Sequence, residues 1–170
     1  MEIPIDPWKL RSFEITDVVA LVKYANNWKV ARNLWDSFPH PYTTEDALGW
    51  IHYALAKKPE THFAIASPNE VIGGIGFYPQ RDIYRQSAEI GLWVGEPFWG
   101  KGIATLALKA ATEYAFAHLN LVRLYAGVFE WNPASARALE KAGYVFEGRL
   151  RKSVVKDGEN IDQLMYAIIR

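Results

Sequence analysis

Two glycines, Gly100 and Gly102, separate an apolar, strand-like segment from a long helical pattern, and this junction constrains the fold more than any other feature. Glycine allows a tight turn whose N–H groups point inward at the positive end of the following helix. The neighbouring Lys101 adds positive charge at the rim. The stretch 96–105 therefore predicts an anion-binding cradle, and a cofactor with a pyrophosphate is its expected ligand.

The segments around this turn predict strands before it and a helix–strand unit after it. A half-buried strand is expected over 8–13, followed by strands over 62–67, 71–78, 87–95, 121–129, 144–156 and 161–169. Apolar residues recur at helical spacing from Ile103 to Tyr114, so the strands before and after this helix are expected to be parallel. Gly73, Gly74 and Gly76 predict a bulge or a close approach to the backbone.

Three further helices are predicted from their first residues. Thr16 is the expected N-cap of a helix through Val18 to Ala25, and Thr43 has capping-box spacing to Asp46. Asn132 followed by proline opens the last helix, which is expected to end at Gly143. The aromatic stretch 26–42 lacks a regular pattern.

The 170 residues fit one α+β domain, expected to span 1–170. Lys plus Arg equals Asp plus Glu at 19 each, so no nucleic-acid partner is expected. The N-terminus lacks a basic and apolar leader and no window approaches 18 apolar residues, so no membrane association is expected. The chain has no cysteine and its four histidines show no paired spacing, which predicts a cytoplasmic protein without a metal.

Two known phosphate-binding motifs do not fit the glycine turn. A Walker A loop needs Ser or Thr after Gly-Lys, whereas Gly102 follows Lys101. A dinucleotide fingerprint needs a third small residue in register, a place after the first strand of a βαβ unit and an acid about 20 residues later. The glycine turn of this chain meets none of these requirements. On the turn alone, a purely structural role stays open.

Three motifs taken in order resemble the GNAT N-acetyltransferases. They are Ala88–Val94, Phe98–Leu108 and Asn132–Tyr144, which match the family's strand, loop-helix and Asn-x-x-Ser-helix segments. The branch most similar is that of the RimJ/RimL-like ribosomal-protein N-terminal acetyltransferases. The resemblance implies a mixed, mostly antiparallel sheet of about seven strands with about four helices, and a parallel central pair that splays to admit coenzyme A.

The resemblance implies acetyl-CoA as the cofactor. Its contacts are expected from the end of one strand, from the loop and from the last helix: Leu92, Trp93, Val94, Trp99, Gly100, Lys101, Gly102, Ile103, Ala104, Thr105, Asn132 and Ser135. The family's loop begins with Gln or Arg, but Trp99 stands there in this chain. Pyrophosphate binding is then left to backbone N–H groups and Lys101.

Acetyl transfer to an amine needs a neutral nucleophile, an oxyanion site and a proton for the departing thiolate. Glu89 is the candidate base, although pairing with Arg81 or Arg85 would make it structural. A backbone N–H between Leu92 and Val94 would bind the oxyanion. Ser135 is the candidate acid, and Asn132 serves as helix cap and cofactor contact.

The acceptor is expected to bind the aromatic stretch and the strand that carries Glu89. The candidate residues are Phe38, His40, Tyr42, Tyr78 and Glu89. The expected reaction is direct attack by a primary amine in a ternary complex, on a protein N-terminus such as that of a ribosomal protein. The alternatives are a small amine, such as a polyamine or amino-sugar, and a non-catalytic acyl-CoA-binding module. The protein is expected to be a monomer or a homodimer.

Overall fold

A computed structural model of the chain describes residues 1–170. The elements follow one another as β1 (Glu2–Ile5), β2 (Trp8–Arg11), α1 (Val18–Ala25), α2 (Trp28–Ala31), α3 (Thr44–Leu55), β3 (His62–Ala66), β4 (Val71–Pro79), β5 (Ser87–Val94), α4 (Ile103–His118), β6 (Arg123–Phe129), α5 (Pro133–Lys141), β7 (Val145–Lys156) and β8 (Glu159–Ile169). Short 3₁₀ turns at Ile15–Asp17, Asp82–Tyr84 and Glu96–Phe98 connect some of them.

All eight strands form one sheet in the order β1-β2-β3-β4-β5-β6-β8-β7. Every neighbouring pair is antiparallel except β5 and β6, which are parallel and are joined by α4. The expected mixed sheet with a parallel central pair is confirmed. The expected strand and helix numbers are each one too low, because the four-residue elements β1 and α2 are too short to give a periodic pattern.

Each face of the sheet is covered by different helices. On one face, α4 and α5 bury Ile103, Leu108 and Leu139 against Phe77 and Ile90 of the sheet. On the other face, α1 and α3 pack over β3 and β4 and form a smaller core around Leu21, Ile51 and Ala64. Full burial of one such aliphatic side chain stabilises the fold by roughly 1.5–3 kcal/mol. The two layers fix β5 and β6 in the centre of the molecule.

The starts of two helices test the capping predictions. Thr43 Oγ1 accepts a hydrogen bond from the Asp46 N–H at 3.2 Å, and Asp46 Oδ2 accepts one from the Thr43 N–H at 2.8 Å, so the predicted capping box is confirmed. The prediction for Thr16 is wrong, because Thr16 lies inside the 3₁₀ turn before α1. Asp17 is the N-cap of α1 but makes no side-chain cap hydrogen bond to it; its carboxylate instead accepts the Glu14 N–H at 2.9 Å and is fixed by Arg11.

The predicted hairpins are both present. The strands β3 and β4 pair around the turn at 67–70, with a register shift between Ile65 and Ala66. The strands β7 and β8 meet at Asp157 and Gly158, which both have positive φ angles, 51° and 78°. The glycines of β4 allow close approach, since a Cβ on Gly76 would collide with the His62 ring. The turn of the β7–β8 hairpin, at Lys156 and Asp157, lines a cavity together with residues between 28 and 40.

Candidate active site

The parallel strands β5 and β6 stay together over only three residues and then separate. Ser87, Ala88 and Glu89 are in register with Arg123, Leu124 and Tyr125, and the pairing ends there. β5 nevertheless continues to Val94 and β6 to Phe129, each held by its outer neighbour. The facing edges of 90–94 and 126–129 therefore carry backbone groups without a strand partner. This V-shaped opening can accept an extended ligand that supplies hydrogen bonds.

The glycine turn lies between the end of β5 and the start of α4. Gly100 and Gly102 have φ angles of 76° and 78°, in the left-handed region that disfavours other residues. A Cβ built on either glycine would have no atom within 4 Å, so the space above the turn is open. Gly102 is the N-cap of the 16-residue helix α4, whose first N–H groups face this space. These features fit an anionic group such as a pyrophosphate.

Trp99, which stands where the loop pattern has Gln or Arg, contacts the end of β5. The Trp99 indole Nε1 donates a hydrogen bond of 2.6 Å to the carbonyl oxygen of Val94, the last residue of β5. The ring is 46% exposed and thus forms part of the surface of the turn. Lys101 is exposed, with its Nζ 5.3 Å from the centre of the Phe98 ring. Ile103 is buried in the core beneath α4, so only its backbone can face a ligand.

The first turn of α5 carries the Asn-x-x-Ser pair. The Asn132 side-chain oxygen accepts a hydrogen bond of 3.3 Å from the Ser135 N–H, which is the predicted cap. Ser135 is half-buried, and its hydroxyl has no hydrogen-bonding partner among the side-chain hydrogen bonds of the protein. Both residues follow the end of β6 directly, so the chain brings them to the mouth of the V.

Glu89 lies at the apex of the V, at the last position where β5 and β6 still pair. It faces Tyr78 of β4 on one side and Tyr125 of β6 on the other. Burial raises the pKa of the Glu89 carboxyl above its ordinary value, and no neighbouring cation opposes this effect. The Arg85 guanidinium instead donates to the Asp82 carbonyl oxygen at 3.1 Å. The alternative in which Glu89 pairs with Arg81 or Arg85 is thus absent from the structure.

An aromatic groove lies next to Glu89 on the face of the sheet covered by α1 and α3. The rings of Trp35 and Tyr78 pack with centres 5.0 Å apart, and Tyr78 also contacts His62 at 5.1 Å. Burial, together with nearby Tyr53 and Glu89, raises the pKa of Tyr78 to about 12, so its hydroxyl stays protonated at neutral pH. We define the acceptor groove as the surface formed by Trp35, Tyr78, Glu89 and Tyr125.

The other three residues expected to bind the acceptor take different positions. Phe38 is half-buried between Tyr42 and Trp93, with ring centres 5.2 and 5.6 Å away. Tyr42 is only 5% exposed and belongs to the smaller core, so it supports Phe38 from behind. His40 is exposed and lines a cavity of about 280 Å³. The five candidates therefore fall into two groups, with Tyr78 beside Glu89 at the apex of the V, and Phe38 packed on Tyr42 and lining the same cavity as His40.

Several residues of this region were not identified from the sequence. Tyr125 and Gln163 lie on the same face of the sheet as Glu89, on β6 and β8. Arg32 and Lys156 line the cavity that also contains His40. Strand alternation from Glu89 could have indicated Tyr125, but no local pattern connects Arg32 with Lys156.

His62 packs on Tyr78 and is buried beneath the acceptor groove. His62 is 2% exposed, its Nδ1 lies 2.9 Å from the Thr61 hydroxyl, and burial lowers its pKa to about 4. It is therefore neutral at neutral pH.

No group of three or more His, Cys, Asp or Glu side chains is arranged to hold a metal ion. No helix of the structure is both long and apolar enough to cross a lipid bilayer.

Comparisons with known proteins connect this geometry to a family. Residues 9–145 match the family model described as the acetyltransferase (GNAT) domain. The chain is 39% identical over 117 residues to the "Probable N-acetyltransferase YjcK" of Bacillus subtilis (strain 168), and this match covers 68% of the chain and 65% of that protein. It is 29% identical over 152 residues to spermidine N(1)-acetyltransferase of Escherichia coli (strain K12), over 89% of the chain and 80% of that protein.

A solved structure shows the same fold. The ribosomal L7/L12 alpha-N-protein acetyltransferase RimL, in complex with coenzyme A, superimposes with a TM-score of 0.87 at 23% identity, over 99% of this chain and 98% of RimL. The family model spans most of the elements that form the V, the glycine turn and the first turn of α5. The chain therefore belongs to the GNAT family of N-acetyltransferases.

Proposed function

We propose that this chain, as one acetyltransferase domain over 1–170, transfers the acetyl group of acetyl-CoA to the N-terminal amine of a protein. The observation that carries the proposal is the position of Glu89. A half-buried carboxylate without a cationic partner stands at the apex of the V between β5 and β6. A carboxylate in such a place costs stability, which is a reason to look for a catalytic role.

The residues from the end of β5 to the start of α4, which we call the donor side, fit coenzyme A. Backbone N–H groups around Gly100 and Gly102, at the start of α4, would hold the pyrophosphate, and the unpaired edges of β5 and β6 would hold the pantetheine arm. Lys101 would add charge at the rim. Acetyl-CoA supplies the acetyl group as an activated thioester.

Three groups of this chain would then serve the transfer. Glu89 would accept the proton of the attacking amine, and its raised pKa brings it closer to the pKa of an α-amine, about 7.7–8.0. A backbone N–H of Leu92–Val94, on the splayed part of β5, would bind the oxyanion. The Ser135 hydroxyl would donate a proton to the departing sulfur, because the Asn132 cap leaves that hydroxyl unpaired.

A protein N-terminus fits the acceptor side better than a lysine side chain. An α-amine loses its proton near neutral pH, whereas a lysine amine, with a pKa near 10.4, would need a stronger base than one carboxylate. RimL, whose fold matches over nearly the whole chain, is named as an α-N-protein acetyltransferase. The groove beside Glu89 is open at Trp35, which is 47% exposed, so an extended peptide end can reach it.

A small amine is the second candidate acceptor. The similarity to a spermidine acetyltransferase over 89% of the chain supports it, and the exposed Asp36 carboxylate offers one contact for a cationic substrate. Against it, the cavity beside the groove is lined by as many basic as acidic side chains, Arg32 and Lys156 with Asp36 and Asp157, and so offers a polyamine no net negative charge.

The test is thiol release from acetyl-CoA with a panel of acceptors: N-terminal peptides, spermidine and an aminoglycoside. We expect turnover with peptides that carry a free N-terminus and none with the same peptides blocked by acetylation. Faster turnover of spermidine than of every peptide would contradict the proposed acceptor. Tight acetyl-CoA binding without turnover on any amine would indicate a non-catalytic acyl-CoA-binding module.

A further inference from the structure

A cavity beside the acceptor groove contains a guanidinium group that no acidic side chain of the protein neutralises. The cavity has a volume of about 280 Å³, and its wall includes Trp28, Arg32 and Lys156. A second cavity of about 180 Å³ shares Lys156 with it and includes Trp35 in its wall. Since Trp35 packs on Tyr78, the two cavities continue the acceptor groove away from Glu89.

Arg32 is fixed by aromatic rings and not by a carboxylate. Its guanidinium carbon lies 4.9 Å from the centre of the Trp28 ring and 5.0 Å from that of Trp131, within the range of cation–π attraction. Trp131 is itself fixed, since its Nε1 donates to the Asn33 side-chain oxygen at 3.0 Å. The planar donor fork of Arg32 is therefore held in one place before any ligand arrives.

The donors of Arg32 lack acceptors within the protein. Its Nε is buried and has no hydrogen-bond partner, and Arg32 takes part in none of the ion pairs of the structure. An arginine side chain keeps its charge at all ordinary pH values, and a buried donor without an acceptor is costly. A ligand with acceptor oxygens would remove this cost.

The other charged groups of the cavity do not neutralise Arg32. The Lys156 ammonium, only 7% exposed, pairs with the Asp36 carboxylate at 2.9 Å, and Asp36 is itself 83% exposed. Asp157 lies at the hairpin turn and forms no ion pair. One lysine–aspartate pair is thus internally balanced, and Arg32 remains the cation available to a ligand.

We propose that Arg32 binds a carboxylate or phosphate group of the acceptor, close to the amine that is acetylated. A guanidinium fork matches the two oxygens of such a group, and aromatic rings on its faces keep the fork oriented. This inference rests on the proposed function and defines the acceptor class: an amine with an anionic group near it, such as a protein N-terminus followed by acidic residues. The same chemistry would also recognise a small amino acid with an acidic side chain.

The experiment compares kcat/KM for four acceptors at saturating acetyl-CoA. The acceptors are a peptide with aspartate at its second and third positions, the same peptide with asparagine, the same peptide with phosphoserine, and free aspartate. We expect the wild-type protein to prefer the acidic peptides over the asparagine peptide by about tenfold or more, the size of one charge-assisted contact. Preference for free aspartate over both acidic peptides would assign the anionic group to a small molecule.

Two variants test whether Arg32 causes this preference. Arg32→Met keeps most of the stem and should reduce the preference to within about twofold while leaving the rate on the asparagine peptide nearly unchanged, since only the charged contact is lost. Arg32→Lys keeps the charge without the fork and should retain part of the preference. Arg170→Met, at the far end of β8 where Arg170 donates to the Phe116 carbonyl oxygen, is the matched control and should behave as wild type.

The possible results distinguish a failure of the Arg32 site from a failure of the proposed function. Equal rates of the wild-type protein on acidic and neutral peptides would overturn the Arg32 site and leave the acetyltransferase proposal standing. No turnover on any amine, with acetyl-CoA binding intact, would instead contradict the proposed function. If Arg32→Met does not fold, the wild-type preference and the Arg32→Lys variant still decide the matter.

Discussion

The donor side and the acceptor side of the candidate active site are built in different ways. On the donor side, the end of β5, the glycine turn and the start of α4 are contiguous over 90–105, and backbone groups would provide most of the proposed contacts to the cofactor. On the acceptor side, Trp35, Tyr78 and Lys156 come from separate parts of the chain, and side chains provide the surface. One ion pair there, Asp36 with Lys156, joins residues 120 positions apart.

This difference indicates how amino-acid substitutions would affect binding on the two sides. A backbone cradle tolerates side-chain substitution as long as the glycines remain, so the cofactor is a fixed property of the fold. A surface made of distant side chains changes with single substitutions, so the acceptor is a property of the individual chain. Variants on one side should accordingly leave the function of the other side intact, and the following predictions test this separation.

The largest effect is expected from Gly102→Val. The substitution places a β-branched side chain in the open space above the turn and at a φ angle of 78°, which alone costs about 1–2 kcal/mol. Calorimetry should show acetyl-CoA affinity reduced by about 100-fold or more. The matched control is Gly158→Val, which has the same φ angle of 78° and equal open space at the β7–β8 turn. If both variants bind acetyl-CoA as well as wild type, the glycine turn is not the cradle.

Glu89→Gln should separate chemistry from binding. Removing a general base typically lowers kcat by about 10²–10⁴-fold, while acetyl-CoA affinity should be unchanged because Glu89 lies at the apex and not on the turn. Steady-state kinetics with calorimetry on the same preparation measure both quantities. A variant with wild-type kcat would remove Glu89 from the mechanism.

Ser135→Ala should have a smaller effect on turnover. A thiolate leaves without much assistance, since an ordinary thiol such as that of cysteine has a pKa near 8.5, so we expect kcat to fall only about tenfold. The cap on α5 persists, since Asn132 accepts from the backbone N–H of residue 135 and not from its hydroxyl. A serine hydroxyl does not titrate in the accessible pH range, so the pH profile of kcat should keep its shape. An unchanged rate would assign the proton to water.

The same Glu89→Gln variant should be more stable than wild type at neutral pH. Burial raises the pKa of Glu89 in the folded protein above that in the unfolded chain, so the folded state binds its proton more tightly. The resulting stability is present at low pH and is lost as the pH rises through the raised pKa. Urea denaturation should show the variant's advantage at neutral pH and its disappearance below the ordinary glutamate pKa. A variant less stable than wild type at neutral pH would indicate a structural partner for Glu89.

The smallest effect is expected from Trp99→Phe. The variant loses the hydrogen bond from the indole Nε1 to the Val94 carbonyl oxygen, worth about 1 kcal/mol or less at an exposed position. Acetyl-CoA affinity should stay within about threefold of wild type, because the backbone of the turn is unchanged. A tenfold loss of affinity in calorimetry would show that Trp99 takes the place of the Gln or Arg found in the family.

The glycine turn with positive φ angles and the helix cap at Asn132 could be predicted from the sequence. Gly100, Gly102, Asn132 and the helix after each act through neighbours in the chain, so local rules describe them. The cap at Thr16 was wrong because the first turn begins at Ile15 with Glu14 as its N-cap, and the Asp17 carboxylate that accepts the Glu14 N–H is further fixed by Arg11 of β2. The Arg32 cavity depends on contacts between α2, the end of β6 and the β7–β8 hairpin, and only folding reveals them.

The most direct test of the central claim follows the acetyl group itself. The protein is mixed with acetyl-CoA and a peptide with a free N-terminus, both substrates are varied, and intact masses of the peptide and the protein are recorded. Direct transfer at the V between β5 and β6 predicts intersecting double-reciprocal lines, a peptide acetylated at its N-terminal amine and a protein without an added acetyl group. Parallel lines with an acetylated protein, or a peptide that stays unmodified while acetyl-CoA binds, would contradict the account.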